Sequence, residues 1–597
     1  MLKKMVVMLL CSFSAALFAQ DATAEMEKKA MKVFAADMPA ASVSTVKIKK
    51  RVGKIYEAFV ECNEKFTATE LDKARGFGIF RYSNTREIYP NTVPEKNLFR
   101  ATLDCTSSPG EKNIAVLGIY PLEDIKSIKV TAGDLTGPSG KSIPAGNIEI
   151  NAVAYDYEPV GVSWYCRGKF AMPTNEIICL KETPRLFYIL VDVPKDAEPG
   201  KYTCKLSITG GKLDSVAELT VQVRNFRLES FSDEYFFGCF NYIDFSGMEP
   251  NGKNLEKKIQ EIKKYGMNVL HGKLQSAIVI NGSGAEIDFS KIEKNMNLMK
   301  KYGFRKCVIE MTGLPNEFVD KMGCKYYDET FNKAYKSMLK SLKDTGEKNG
   351  WPDFMVMYDE PREIDTENSR PLARTFWDIE NLLKLHNEAG LYAIPTYMGD
   401  EGGPRFEDKR KSSTYWEQGS KNKFIMTHAY EYSDKLMRET VKNGNTLYIY
   451  NSKYGRYAYG LLTHQVGAKG RLQFWYENGE RSFNSCTEFP NSYAVQILAD
   501  GTYVSTLQWL RSMEGVNDFR YIYTLKKLIE RAKDKQSPDV LAAQRYLEDI
   551  GKINFKSKTK VDGRMDDTLA SEIVKKYTGE KLDEMREKLA GYIMKLN

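Results

Sequence analysis

The sequence predicts a multidomain chain: an N-terminal β-sandwich, then a (β/α)8 TIM barrel, then a C-terminal helical extension. Three observations predict it. Over residues 76–228 short alternating apolar runs are separated by Gly- and Pro-containing turns. From about residue 232, charged amphipathic segments end in glycine and lead into apolar runs. After about residue 505, apolar residues recur at helical spacing. The 597 residues exceed a single domain of ~150 several-fold. With 42% hydrophobic and 28% charged residues the chain is globular in composition, which excludes collagen, coiled coil or disorder as its main state.

Residues 1–20 read MLKKMVVMLLCSFSAALFAQ. Two lysines, a short apolar run and small residues at its end predict a secretory signal peptide, too short to span a membrane. The mature chain is therefore expected to be secreted or periplasmic, with no integral membrane segment. Residues 21–75 are Lys-rich and carry no clear pattern. The sandwich is assigned to 76–228, on the runs GFGIFRY, NIAVLGIY, SIKVTAG, NIEINAVAY, LFYILVDV, KYTCKLSIT and VAELTVQV. GPSGKS (137–142) has the look of a phosphate loop, but Leu135 stands where the motif needs glycine and no helix follows. It reads as a hairpin turn.

The barrel is assigned to 229–510 and the helices to 511–597. Glycines 266, 303, 350, 390, 444 and 470 each close a charged segment, as residues just past a helix end do. With EYFFGCFNY (234–242) and KFIMTHAY (423–430) the apolar runs number eight. An open doubly wound sheet would want G-x-G-x-x-G after the first strand, and NYIDFSGMEPNG lacks it.

Barrel chemistry sits at the C-terminal ends of the strands. That rule selects Asn241 and Tyr242, His271 and Lys273, Glu310, Asp359 and Glu360, Tyr397, His428 and Tyr430, Tyr450 and Asn451, and Trp475, Tyr476 and Glu477. FMVMYDEP is the sharpest feature, an apolar strand ending in two adjacent carboxylates. Two such groups resist ionising together, so one can hold a proton near neutral pH and pass it to a leaving oxygen. Glycoside hydrolysis needs that acid and a second group to stabilise the cationic centre. The seventh strand, LYIYNSKYG, offers no carboxylate nucleophile. Substrate assistance answers this: an acetamido group attacks the anomeric carbon, Asp359 orients it, and Glu360 serves as general acid/base.

These residues resemble glycoside hydrolase family 123, β-N-acetylgalactosaminidases, and the bacterial proteins carrying domain of unknown function 4091. YDEP (358–361) matches the family's Asp-Glu pair. LFYILVDVPKDAEPGKYTCKLSI (186–208), AYGLLTHQVGAKGRLQFWYEN (458–478) and DGTYVSTLQWLRSMEGVNDFRYI (500–522) are similar to its sandwich signature, its late barrel strands and its closing segment. The closing segment departs from the family's Arg-rich pattern at Thr506, Gln508, Ser512 and Asn517. The resemblance implies a retaining glycosidase acting on terminal β-linked N-acetylhexosamine, with N-acetylgalactosamine favoured, through an oxazoline-type intermediate. Asn241, His271, Tyr397, His428, Tyr430, Tyr450, Asn451 and Trp475 are the candidate sugar-binding residues. Two rivals stand beside this reading. One is a conventional retaining glycosidase pairing Glu360 with Glu310 or Glu477. The other is a glycan-binding protein without catalysis on the same scaffold.

An oligosaccharide or polysaccharide is the expected partner. The net charge of +8 is scattered, so nucleic acid is not expected. Four scattered histidines make no metal motif, and no cofactor is expected. The ten cysteines contain no C-x-x-C pair; Cys166 with Cys179 is a candidate bridge, against the alternative of buried free thiols.

Overall fold

The computed structural model describes residues 66–160, 163–246, 255–282, 284–359, 376–397, 421–429, 434–452, 455–478, 493–498, 501–553 and 576–597. The signal segment 1–20, most of the 21–75 segment, Glu360 and Tyr430 lie outside the described residues. The described residues group into two compact units. The first holds those up to Leu228 together with Asn478 and Val495–Gln508; the second holds those of Glu229–Glu477 and Trp509–Asn597, with Tyr493 and Ala494.

The first unit is built on two antiparallel-rich sheets. One runs Phe77–Arg81, Lys112–Pro121, Arg185–Asp192, Ile148–Val160, Ser163–Met172. The other runs Thr102–Ser107, Ser215–Val223, Gly200–Thr209, Ile125–Ala132, Glu176–Cys179. Alternation along the strands sends one face of each into a shared core. Leu117, Ile119, Phe187, Ile189 and Val191 come from the first sheet, and Ile128, Val130, Leu206, Ile208, Leu219 and Val221 from the second. The first sheet is buried on its other face too. There Tyr188 donates a hydrogen bond to the Asn84 carbonyl at 3.0 Å, and Phe66, Phe80, Phe99 and Tyr120 stack together. GPSGKS is a hairpin turn between Leu135–Thr136 and Ser142–Ile143. Cys166 and Cys179 are both buried, and no disulfide joins them. Tyr503–Thr506, assigned from the sequence to the barrel, instead pairs with Ser163–Met172 and extends the first unit's sheet.

The second unit is a curled parallel sheet with helices on its outside. Among the described residues its parallel strands are Phe236–Cys239, Val269–Lys273, Lys306–Glu310, Asp353–Tyr358, Tyr392–Tyr397, Phe424–Thr427, Thr446–Tyr450 and Gly470–Gln473, called first to eighth below. From the second to the eighth, each pairs with the next in sequence. The first pairs with the eighth, and its continuation Ile243–Asp244 pairs with the second. Both ends of the row therefore meet on one stretch of chain, 236–244.

Parity divides the apolar residues in two. Met355 and Met357, Met426, and Tyr448 and Tyr450 pack in an interior cluster with Phe236, Val269, Val308, Ile394 and Leu472. Their neighbours Ile425, Leu447 and Ile449 face outward against Leu436, Met437, Leu462 and Val466 of the helical layer. Gly266, Gly303, Gly350, Gly390 and Gly444 all adopt positive φ, between 60° and 78°, just past helix ends. Gly470 does not play that role. It has φ 154° and opens the eighth strand, and Gly467, at φ 71°, caps the helix Leu461–Gln465 instead.

The long helix Leu507–Arg531 is fastened from Trp509 onward by a buried charge network. Asp518 accepts from Arg456 Nε at 2.7 Å and from Arg586 Nε at 2.6 Å. Arg586 also reaches Glu514 Oε2 at 2.7 Å, and all four side chains are buried. Beside this network the helix crosses the segment after the seventh strand at two glycines. A Cβ on Gly515 would lie 2.4 Å from the Arg456 carbonyl and 3.0 Å from the Gly460 nitrogen. That contact explains a glycine inside a helix, where it costs ~1 kcal/mol against alanine.

Two outcomes are expected on denaturation. Gly515→Ala destabilises by roughly 1–3 kcal/mol despite its better helix propensity, because the added methyl overpacks a backbone contact. Asp518→Asn destabilises by roughly 3–5 kcal/mol, because two buried guanidiniums lose their shared anion. Urea midpoints that equal wild type for either variant would refute the packing or the charge argument respectively.

Candidate active site

The C-terminal ends of the parallel strands bring a group of polar and aromatic side chains onto the interior face. Strand parity decides the membership. Asp359 follows Met355 and Met357 at two-residue spacing, so it shares their interior side. Tyr358 points the other way: it donates to His386 Nε2 at 2.7 Å and pairs with Tyr335 at 2.8 Å. His386 Nδ1 donates to the Leu391 carbonyl at 3.0 Å, which fixes Nε2 as the acceptor. This chain anchors the strand end from outside.

Asp359 is half-buried. Its backbone N–H donates to Thr312 Oγ1 at 2.9 Å, and its Oδ1 accepts from Thr396 Oγ1 at 3.3 Å. The carboxylate thus meets the Thr396 hydroxyl, and among the described residues no cation is hydrogen-bonded to it. Neither threonine was singled out from the sequence. Both carry the signal, as small polar residues at interior parity in VIEMT and AIPTY.

The other carboxylates at the rim are ion-paired. Glu310 lies 3.6 Å from Lys273 Nζ. Glu477 lies 3.4 Å from Lys258 Nζ, and Lys258, fully buried, also donates to the Asn241 carbonyl at 3.3 Å. Lys258 was missed because one lysine among many on a charged helix carries no sequence mark. The seventh strand ends in Asn451, at φ 49°, whose Oδ1 accepts from the Phe474 N–H at 2.9 Å.

An aromatic wall lines the same side. The rings of Phe240 and His271 meet at 4.9 Å, those of Tyr242 and His271 at 4.9 Å, and those of His428 and Tyr450 at 4.3 Å. Phe474 joins through Phe240, and Trp475, half-buried, packs on Phe474 at 4.5 Å. Of the candidate sugar-binding residues, His271, His428, Tyr450 and Trp475 therefore lie on the interior side at this end of the sheet, the first three buried and Trp475 half-buried. Asn241 is buried, its Oδ1 accepting the His271 N–H at 3.2 Å, and it braces the first strand's end. Tyr397 lies at outward parity, buried in the helical layer, with its hydroxyl accepting from Asn422 at 2.7 Å. Tyr476 is likewise buried, against Trp509. Among the described residues no group of three or more His, Cys, Asp or Glu is placed to hold a metal, and no helix is long and apolar enough to cross a membrane.

No family model matches the sequence, and no curated protein does. Among solved structures the chain is similar to a family 123 glycoside hydrolase from Clostridium perfringens, described for glycolipid glycan hydrolysis. The TM-score is 0.61 at 12% identity, over 87% of this chain and 99% of that one. Lesser likenesses are to an endo-β-1,4-mannanase from Thermotoga petrophila, with TM-score 0.33 at 14% identity over 51% of this chain and 79% of that one, and to a β-glucuronidase from Bacteroides uniformis, with TM-score 0.27 at 11% identity over 77% and 50%. The first of these shows the fold: the chain is built like that enzyme over 87% of its length.

The chain's four histidines give a pH prediction. Burial pushes His271, His428 and His464 down to about 3 and His386 down to about 4. Lys273 and Lys258 depress His271 further. In the unfolded chain each would titrate near 6.5. Between these values the unfolded state binds protons that the native state refuses, so stability is fully present above pH 6.5 and is lost as pH falls toward 3–4. Each histidine contributes at most roughly 1.4 kcal/mol per pH unit. The urea midpoint should drop steeply from pH 7 to pH 5. A flat midpoint over that window would mean the histidines are solvated.

Proposed function

We propose that this chain is a glycoside hydrolase that removes terminal β-linked N-acetylhexosamine, N-acetylgalactosamine in the first instance, with retention and by substrate assistance. The scaffold is read as a β-sandwich followed by a (β/α)8 barrel, and the protein as exported. The observation that carries the proposal is Asp359: it lies at the end of the fourth parallel strand, at interior parity, its backbone N–H bonded to Thr312 and its carboxylate to Thr396, with no cation bonded to it among the described residues.

In this mechanism the acetamido oxygen attacks the anomeric carbon while its N–H donates to Asp359. Glu360, the next residue, gives its proton to the glycosidic oxygen as that bond breaks, leaving a cyclic oxazoline-type intermediate. Water then adds to the anomeric carbon, losing its proton to Glu360, and the ring opens to the product with its original configuration. No cofactor enters. Asp359 must be anionic to stabilise the positive charge that develops on the acetamido nitrogen. The Thr396 hydroxyl, donating to Asp359 Oδ1, helps to hold that carboxylate in place. The conventional retaining alternative gains less support, because Glu310 and Glu477 each have a lysine partner. Asn451, at the end of the seventh strand, braces the eighth.

The test uses chromogenic β-N-acetylgalactosaminide, β-N-acetylglucosaminide and plain β-galactoside. Wild type should turn over an acetamido substrate and leave the plain galactoside intact. Glu360→Gln should lower kcat by roughly 10²–10⁴-fold, the usual worth of a general acid. Asp359→Asn should also lower kcat with the protein still folded. Turnover of the plain galactoside would overturn substrate assistance. Glycan binding without turnover of any substrate would favour the non-catalytic reading.

A further inference from the structure

The ends of the first three parallel strands form a corner that the proposed reaction does not use. Lys273 follows Val269 and His271 at interior parity, and its side chain is 41% exposed. Its ammonium stands 5.6 Å over the ring of Tyr242. Tyr242 is itself 44% exposed, an unusual state for a large ring on a strand end. Its backbone sits at φ 48°, a left-handed conformation that is strained for a tyrosine. The N–H of Tyr242 directed to His271 Nδ1 at 3.4 Å holds it there.

That bond assigns the histidine tautomer. Nδ1 accepts, so Nε2 carries the hydrogen, and Nε2 is buried with no hydrogen-bond partner among the described residues. A buried unpaired donor is destabilising, and a site that keeps one has room for a ligand or a water to satisfy it. The contact of Lys273 with Glu310, at 3.6 Å, lies beyond hydrogen-bond reach. Glu310 therefore steadies the ammonium by charge, and among the described residues no hydrogen bond takes its three N–H donors.

We infer that this corner is a subsite for an acidic sugar, with Tyr242 as the stacking face and Lys273 as the partner of a carboxylate or sulfate ester on that sugar. An aromatic ring beside a half-exposed ammonium matches the two faces of such a residue, apolar C–H on one side and anion at the edge. The inference deepens the proposed function and rests on it: the substrate becomes an anionic glycan containing N-acetylhexosamine.

The experiment measures calorimetric binding to the full chain carrying Glu360→Gln, so that ligands persist. The probes are a neutral N-acetylgalactosamine-containing oligosaccharide, its sulfated form, and a form with a uronic acid beside the N-acetylgalactosamine. At least one anionic form should bind about tenfold tighter than the neutral one, which is ~1.4 kcal/mol. Which form does so identifies the anion. Adding Lys273→Met should collapse that ratio to one, and Lys273→Arg should restore it. Raised salt should shrink the ratio in the parent and leave it at one in Lys273→Met. Equal affinity for neutral and anionic forms, or an equal loss for all of them in Lys273→Met, overturns the subsite while leaving the glycosidase reading intact. Absence of binding by all three overturns both.

Discussion

Side-chain alternation along parallel strands is the constraint on which the candidate site depends. A strand in the curled sheet presents one residue to the interior and the next to the helices. Met355 and Met357 face inward, so Asp359 does as well, and Tyr358 between them is committed to His386 and Tyr335. A slip of one residue in the fourth strand would bury the carboxylate under the helices and expose a tyrosine. The hydrogen-bonded chain from Tyr335 through Tyr358 to His386 and the Leu391 carbonyl opposes that slip. The outward face thus fixes what the inward face can do.

The same constraint explains what was legible in the sequence and what was not. The parallel strands were readable because their apolar runs follow charged helices that close on glycine, and five of those six glycines do hold the left-handed conformation. Parity was not readable. A sheet covered on both faces gives continuous apolar runs, without the alternation that marks a half-solvated strand. Tyr397 and His428 look alike as residues at strand ends, yet one lies among Leu436 and Leu462 and the other against Tyr450. Asn241 looked like a sugar ligand, and its amide is engaged by the backbone of His271. Pairing across long sequence separation was also invisible: nothing near Tyr503–Thr506 shows that its partner is Ser163–Met172.

Buried charge has a second role in the parallel-sheet unit. Arg456, Glu514, Asp518 and Arg586 are nearly solvent-free and come from three separate helices. Such a cluster is weak evidence for net stability, because desolvation offsets much of the attraction. Its geometry is specific, however. Asp518 accepts from both arginines at once, and the Gly460–Gly515 contact beside it leaves no room for a side chain. The helix can therefore dock in one register only, which fixes the segment between the seventh and eighth strands whose flanks carry Asn451 and Trp475.

The rim's electrostatics bear most directly on mechanism. A carboxylate that is to stabilise a nitrogen cation must stay charged without a competing cation bound to it. One that is to attack carbon must be free of its counter-ion at the moment of reaction. Among the described rim carboxylates, Glu310 and Glu477 carry lysines, and Asp359 accepts from the Thr396 hydroxyl. A lysine partner holds its carboxylate in an ion pair, which disfavours either glutamate as the attacking group. The arrangement leaves Asp359 suited to orientation and charge stabilisation. The proposed mechanism assigns the nucleophilic work to the substrate's own acetamido oxygen and leaves proton transfer to Glu360.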